Sequence, residues 1–197
     1  MKFSIMLLVA MLVCLSPICA NQNAEGMETF LQGNIEKIVE IITNAEASSD
    51  EKKSQVSKVF SEAFDLPRLA AMSLGGSSWR KLSLEEKKKF TGKFSEFVLS
   101  FYVNKLDQYN NNQITYGKGK MRSKTKGVMP VDVEFQGKVA RMNYSMVYSK
   151  DVWKIFDVEV EGIRLSTTYR SQFQSLYQKK GFDGIISALD DLIKKQE

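Results

Sequence analysis

The chain has 197 residues, a formal net charge of +5 and no histidine. That length suits one domain with a real core. The missing histidine excludes Ser-His-Asp and Cys-His catalysis and histidine-based zinc sites, leaves only carboxylate, lysine or tyrosine chemistry, and weighs against a typical hydrolase.

Met1–Ala20 reads as a targeting segment. Lys2 is the positive start, Ile5–Leu15 is an apolar run too short to span a bilayer, and Ile18-Cys19-Ala20 fits a signal-peptidase site with Ala20 the last residue removed. Neither Cys14 nor Cys19 follows the small residue of a lipoprotein signal, so the expectation is a soluble exported protein. Both cysteines lie in this segment, so the remaining domain, 21–197, has no disulfide and is held by its core alone. Losing Lys2 takes the formal charge to about +4.

Asn21–Gly26 reads as a frayed start. Glu28–Thr43 places Phe30, Leu31, Ile35, Ile38, Val39 and Ile42 at helical spacing. Ser48-Ser49-Asp50 breaks that helix, with Asp50 placed to cap a second one carrying Val56, Val59, Phe60, Ala63 and Phe64. Asp65-Leu66-Pro67 restarts a short helix, because proline is tolerated in a first turn, and Gly75–Ser78 ends it. Ser83 and Glu86 make a capping box for a long helix to about Tyr109. Phe90, Phe94, Phe97 and Phe101 line one face of it, widened by Val98, Tyr102 and Leu106. Such a stripe normally faces a core.

Beyond Asn110-Asn111-Asn112 the period becomes alternating. About four strands are expected, joined mostly as hairpins: Gln113–Lys118 or further, Val128–Phe135, Lys138–Tyr148, and one from Asp151. Gln136-Gly137 signals a tight turn. In the last strand Val152, Phe156, Val158 and Val160 share a face, with Trp153 and Ile155 on the other. Gly162 breaks it, Ser166 is placed to cap a helix with Tyr169, Phe173 and Leu176 on one stripe, Gly181 ends that helix, and Asp183 starts a last one. The fold class is therefore α+β: an antiparallel sheet wrapped on one face by helices, in one domain.

The acidic row Asp157, Glu159, Glu161 reads as a solvated strand face, except that Asp157 sits between apolar neighbours and needs a partner, for which Arg170 is the candidate. Lys118, Lys120, Arg122, Lys124 and Lys126 fall at every second position, so an extended segment would put all five charges on one face. Such a row suits docking to anionic head groups or an acidic partner, and equally the protection of a sheet edge. Neither Gly75-Gly76 nor Gly117-x-Gly119 has the context of a phosphate loop, no metal-ligand set stands out, and no aromatic-basic motif points to nucleic acid.

Three stretches resemble the MlaC / toluene-tolerance family of periplasmic phospholipid carriers. They are Trp153-Lys154-Ile155-Phe156-Asp157-Val158 with Glu161-Gly162, then Tyr169-Arg170-Ser171-Gln172-Phe173, and the turn Gly76-Ser77-Ser78-Trp79-Arg80. Arg164 departs from the resemblance, standing where a small polar residue is expected. The resemblance implies a soluble periplasmic carrier with no enzymatic activity and no cofactor, whose cargo is phospholipid. It implies shuttling between an outer-membrane lipoprotein/porin complex and an inner-membrane ABC transporter with a membrane-anchored substrate-binding subunit, which maintains outer-membrane lipid asymmetry. It further implies an apolar cavity, which the residue pattern alone does not demand, since apolar faces normally pack into a solid core. The expected walls are Phe94, Phe97, Phe101, Val133, Tyr144, Met146, Ile155 and Val158. Two other readings stand beside it: a small exported acid–base enzyme using Asp157 in an apolar pocket, and an interaction module with a solid core.

Overall fold

Helix boundaries in this chain are set largely by side-chain caps. The computed structural model describes residues 22–103, 113–135 and 137–195. The expected targeting segment, the end of the long helix and Gln136 lie outside them. Asn23 opens α1 (Ala24–Thr43), its side chain accepting from Gly26 N at 2.8 Å, so residues expected to fray are helical. Ser48, not Asp50, caps α2 (Ser49–Ala63). The Glu51 carboxylate accepts from Ser48 N at 2.9 Å, and Ser48 Oγ accepts from Glu51 N at 3.3 Å. A serine can satisfy N3 only from the cap position itself, one residue before the first helical turn. Asp65 caps α3 (Leu66–Leu74), accepting from Arg68 N at 3.2 Å. Gly75, at φ 87°, turns the chain straight into a short helix, α4 (Gly76–Lys81), where only a break was expected. The Ser83–Glu86 capping box opens α5 (Leu84–Val103) with bonds of 2.8 and 3.2 Å.

The sheet has six antiparallel strands, against the expected four or so: β1 (Ile114–Tyr116), β2 (Lys120–Ser123), β3 (Lys126–Phe135), β4 (Lys138–Ser149), β5 (Val152–Val160) and β6 (Ile163–Arg164). Their order is β1-β3-β4-β5-β6, and β2 also pairs with β3. The chain then enters α6 (Leu165–Lys194), which Gly181 breaks at φ 65° and ψ −162°. The segment carrying the basic row is not one extended strand. It turns back at Lys124-Thr125, so that Lys118 lies between β1 and β2, Lys120 and Arg122 on β2, Lys124 in the turn and Lys126 on β3.

Two main cores result. One is helical: Leu69, Leu74, Phe90, Phe94, Phe97, Phe173, Ile185 and Leu189 pack α3, α5 and α6 together. The other joins the inner sheet face to α1 through Met27, Leu31, Met129, Val131, Met146, Trp153, Ile155 and Val158. α1 approaches the sheet closely at two glycines. A Cβ on Gly119 would lie 2.6 Å from Met27 Cε, and one on Gly127 2.5 Å from Met27 Sδ.

β5 carries the junction between sheet and helices. Ser145 faces Asp157 and Met146 faces Ile155, so Phe156 is one extra residue opposite β4. A bulge of this kind shifts the alternation by one. Trp153 and Ile155 therefore join Val158 in one cluster instead of facing away from it. Asp157, 1% exposed, accepts from Ser166 N at 3.1 Å, Ser166 Oγ at 2.6 Å and Val158 N at 3.0 Å. Ser166 is thus a donor in the first turn of α6 rather than its cap. Arg170 is not the partner of Asp157: its Nε donates to Met72 O at 2.9 Å and ties α6 to α3.

Asp157→Ala leaves the two Ser166 donors unpaired in a dry site, which is expected to cost about 1–3 kcal/mol for each. Denaturant midpoints measure it. A double-mutant cycle should show coupling between Asp157 and Ser166 and none between Asp157 and Arg170.

Candidate functional site

Between the α1–α2 pair and the inner face of β4–β5 the two layers do not close completely. They leave a cavity of about 240 Å³, lined by Leu31, Asn34, Ile35 and Ile38 of α1 and by Val56, Phe60, Ala63 and Phe64 at α2. Met142, Tyr144, Ile155, Val158, Val160 and Leu165 line it from the other side. None of these residues is charged. Asn34 turns its amide donor onto its own helix, at Phe30 O 2.7 Å away. Tyr144 Oη lies 3.5 Å from Met142 Sδ. Phe60 and Phe64 stack at 3.9 Å, and Phe64 bridges to Ile155, which fixes the inner wall. Asp65 N donates to Ile155 O at 2.7 Å and holds the α2–α3 corner against β5.

Of the residues expected to form the walls, Tyr144, Ile155 and Val158 line this cavity. Val133 and Met146 belong to the same inner sheet cluster but not to the lining. Phe94 and Phe97 lie elsewhere, in the helical core, where their rings meet Tyr169 edge-on at 5.5 and 5.4 Å. Phe101 is 37% exposed. The helices that line this cavity on its helical side are chiefly α1 and α2. Sequence reasoning marked Leu31, Ile35, Ile38 and Phe60 as apolar stripes but had no signal for which helix pair the sheet would leave room beneath.

A second hollow, of about 410 Å³, lies on the opposite face of the sheet. Lys120 and Arg122 line it with Thr115, Pro130, Asp132, Arg141 and Asn143. Arg141 grips Asp132 through Nε and Nη2, both at 2.7 Å. That bond holds the Asp132 carboxyl below its ordinary range and raises Arg141 above its own. Lys118, Lys124 and Lys126 are exposed but do not line the hollow. Among the described residues no cluster of acidic side chains has metal-binding geometry, and no helix is long and apolar enough to cross a membrane.

This architecture and a charge-free cavity can be set against known proteins. Residues 32–191 match the family described as MlaC protein. The chain belongs to the MlaC family. Within 105 residues, 53% of this chain, it is 30% identical to the toluene tolerance protein Ttg2D of Pseudomonas putida, and the match spans 49% of that relative, about half its length. The fold is that of a phospholipid-binding protein of Ralstonia solanacearum solved in complex with a phospholipid: TM-score 0.77, 19% identity, covering 86% of this chain and 97% of that one. This MlaC-family chain thus has the family's fold, with an apolar hollow between the α1–α2 pair and β4–β5.

Substitutions separate the helical core from the cavity wall. Phe97→Ala should destabilise the helical core by about 3–5 kcal/mol while the folded fraction keeps the cavity's ligand capacity. Ile35→Gln, on a half-buried wall position, should leave thermal stability nearly intact and reduce uptake of an apolar fluorescent probe.

Proposed function

We propose that this protein is a periplasmic carrier that holds a phospholipid with its acyl chains in the α1–α2/β4–β5 cavity and its head group outside. The observation that carries this reading is an apolar cavity with no charged residue in its lining. Support comes from the family and from the phospholipid complex of the Ralstonia solanacearum protein that shares the fold. Each methylene removed from water is worth ~0.8 kcal/mol, but a bilayer already supplies that burial. A carrier therefore needs only a sealed apolar compartment of comparable quality. A phosphate group has no partner in this lining and stays in water, where its charge is solvated.

The wider reading follows from the same family. The chain is exported, loses Met1–Ala20, and shuttles phospholipid between an outer-membrane lipoprotein/porin complex and an inner-membrane ABC transporter with its membrane-anchored subunit, sustaining lipid asymmetry and tolerance of toluene. In this reading the Lys120–Arg122 hollow docks on an acidic protein surface of such a complex. It lies on the sheet face away from the cavity, so a membrane held there would meet the wrong side of the molecule. The acid–base enzyme reading gains no support from the geometry, because both Asp157 oxygens are engaged at the start of α6 and neither faces the cavity lining.

Protein purified without detergent should yield about one phospholipid per chain on solvent extraction and mass spectrometry, the count expected for one enclosed site. A wild-type protein that carries none and takes up none would overturn the carrier reading. Lys120→Glu combined with Arg122→Glu should weaken binding to isolated envelope membranes at low salt, lose that difference at high salt, and change stability by no more than about 0.5 kcal/mol. Equal binding of variant and wild type at low salt would reduce the charges to edge protection.

A further inference from the structure

The cavity has an identifiable mouth. Most of its apolar lining is buried or half-buried, and Val160 alone, at 36%, is exposed. Val160 pairs directly with Ile163 across the β5–β6 hairpin, so the two side chains share the cavity face of the sheet. Ile163 is 66% exposed. The turn between them has φ 50° at Glu161 and φ 79° at Gly162, the pattern of a tight two-residue hairpin turn, which fixes where Ile163 stands.

The other face of the same hairpin is pinned by polar contacts. Arg164 Nε meets Glu159 Oε2 at 3.3 Å, and Asn143 Nδ2 donates to Glu159 Oε1 at 3.0 Å. Glu161 Oε1 accepts from Arg141 N at 2.7 Å, and Glu161 N donates to Arg141 O at 3.1 Å. The hairpin is therefore held from its polar side while its apolar side stands open beside the mouth. An isoleucine so exposed, in a strand of only two residues, contributes little burial to the fold.

We infer that Val160 and Ile163 form the lip over which acyl chains enter and leave the cavity, and that Ile163 determines the rate of phospholipid exchange with a bilayer surface. The inference rests on the carrier reading and deepens it. A chain leaving the cavity must otherwise cross a gap of water. An apolar lip seated on the bilayer gives it a continuous apolar path, which lowers the barrier to transfer without changing the affinity of the closed site.

The experiment uses wild-type protein loaded with a fluorescent phospholipid and unlabelled acceptor vesicles of phosphatidylethanolamine and phosphatidylglycerol. Ile163→Asp should slow transfer about tenfold or more while equilibrium occupancy stays within about twofold of wild type. Ile163→Leu should restore the wild-type rate. Leu84→Asp, which removes an apolar side chain 74% exposed at the start of α5 and outside the cavity lining, should leave the rate unchanged. If Ile163→Asp fails to fold, Ile163→Ser replaces it with the same expected direction. Transfer at the wild-type rate by the folded Ile163 variants, or equal slowing by Leu84→Asp, overturns the lip and leaves the carrier standing. So does a wild type that purifies with phospholipid yet exchanges none with vesicles. A wild type that neither carries nor takes up phospholipid overturns both.

Discussion

One extra residue in β5 is the constraint on which the rest of this structure depends. Phe156 has no opposite number in β4, and from that point the strand's two faces exchange roles. Before the bulge Ile155 faces inward; after it Val158 and Val160 do. An unbulged strand would have sent Val158 outward and turned Asp157 and Glu159 into the apolar layer, where each would need a partner. The bulge instead aims Asp157 at the first turn of α6, where a carboxylate meets the positive end of the helix and two donors of Ser166. Phe156, the displaced residue, is covered by the Arg68 guanidinium 4.5 Å above its ring. The same short stretch thus sets the cavity wall, the entry to the C-terminal helix and the contact with α3.

This explains what could and could not be read from the residues alone. Periodicity located the helices and the hairpin strands, because 3.6 and 2.0 repeats depend only on which face is wet. The Ser83–Glu86 box was legible because both partners lie in one short window. The bulge was not, since the extra residue is defined by the register of the opposite strand and not by β5 itself. Nor was the Asp157 partner: Arg170 and Ser166 are both on the helix that follows, and only the packing of α6 on α3 sends Arg170 to Met72 O. The split of the first expected strand follows from Gly117 and Gly119. A Cβ at Gly117 would meet the Pro130 ring at 2.6 Å, and Gly119 makes room for Met27. Both are close approaches by residues distant in sequence. The cavity was legible only through the family resemblance, and the Phe stripe of the long helix could not say which helices line it, because such a stripe looks the same whether it faces a pocket or other helices.

The division into two cores gives the cavity its mechanical setting. α3, α5 and α6 close around Phe90, Phe94 and Phe173, whose rings contact one another edge-on or stacked at 5.7 to 6.0 Å. That block meets the cavity's α2 wall at Phe60 and Phe64, which belong to both. α1 is anchored at one end by Met27 beneath Gly119 and Gly127, and Gly119 N donates to Glu28 Oε1 at 2.6 Å. Its other end belongs to a small separate cluster of Ile41 with Val56, Val59 and Val103. The cavity of about 240 Å³ leaves its lining without some of the contacts that a packed core would have. Its volume also falls short of the about 300–1,000 Å³ typical of ligand pockets. The anchors of α1 differ at its two ends: the Met27 end is locked into glycine backbone, while the Ile41 end is tied to α2 and to the last described turn of α5 rather than to the strands. Any apolar molecule that binds such a cavity only in the folded state stabilises the fold by mass action, so occupancy and stability would rise together.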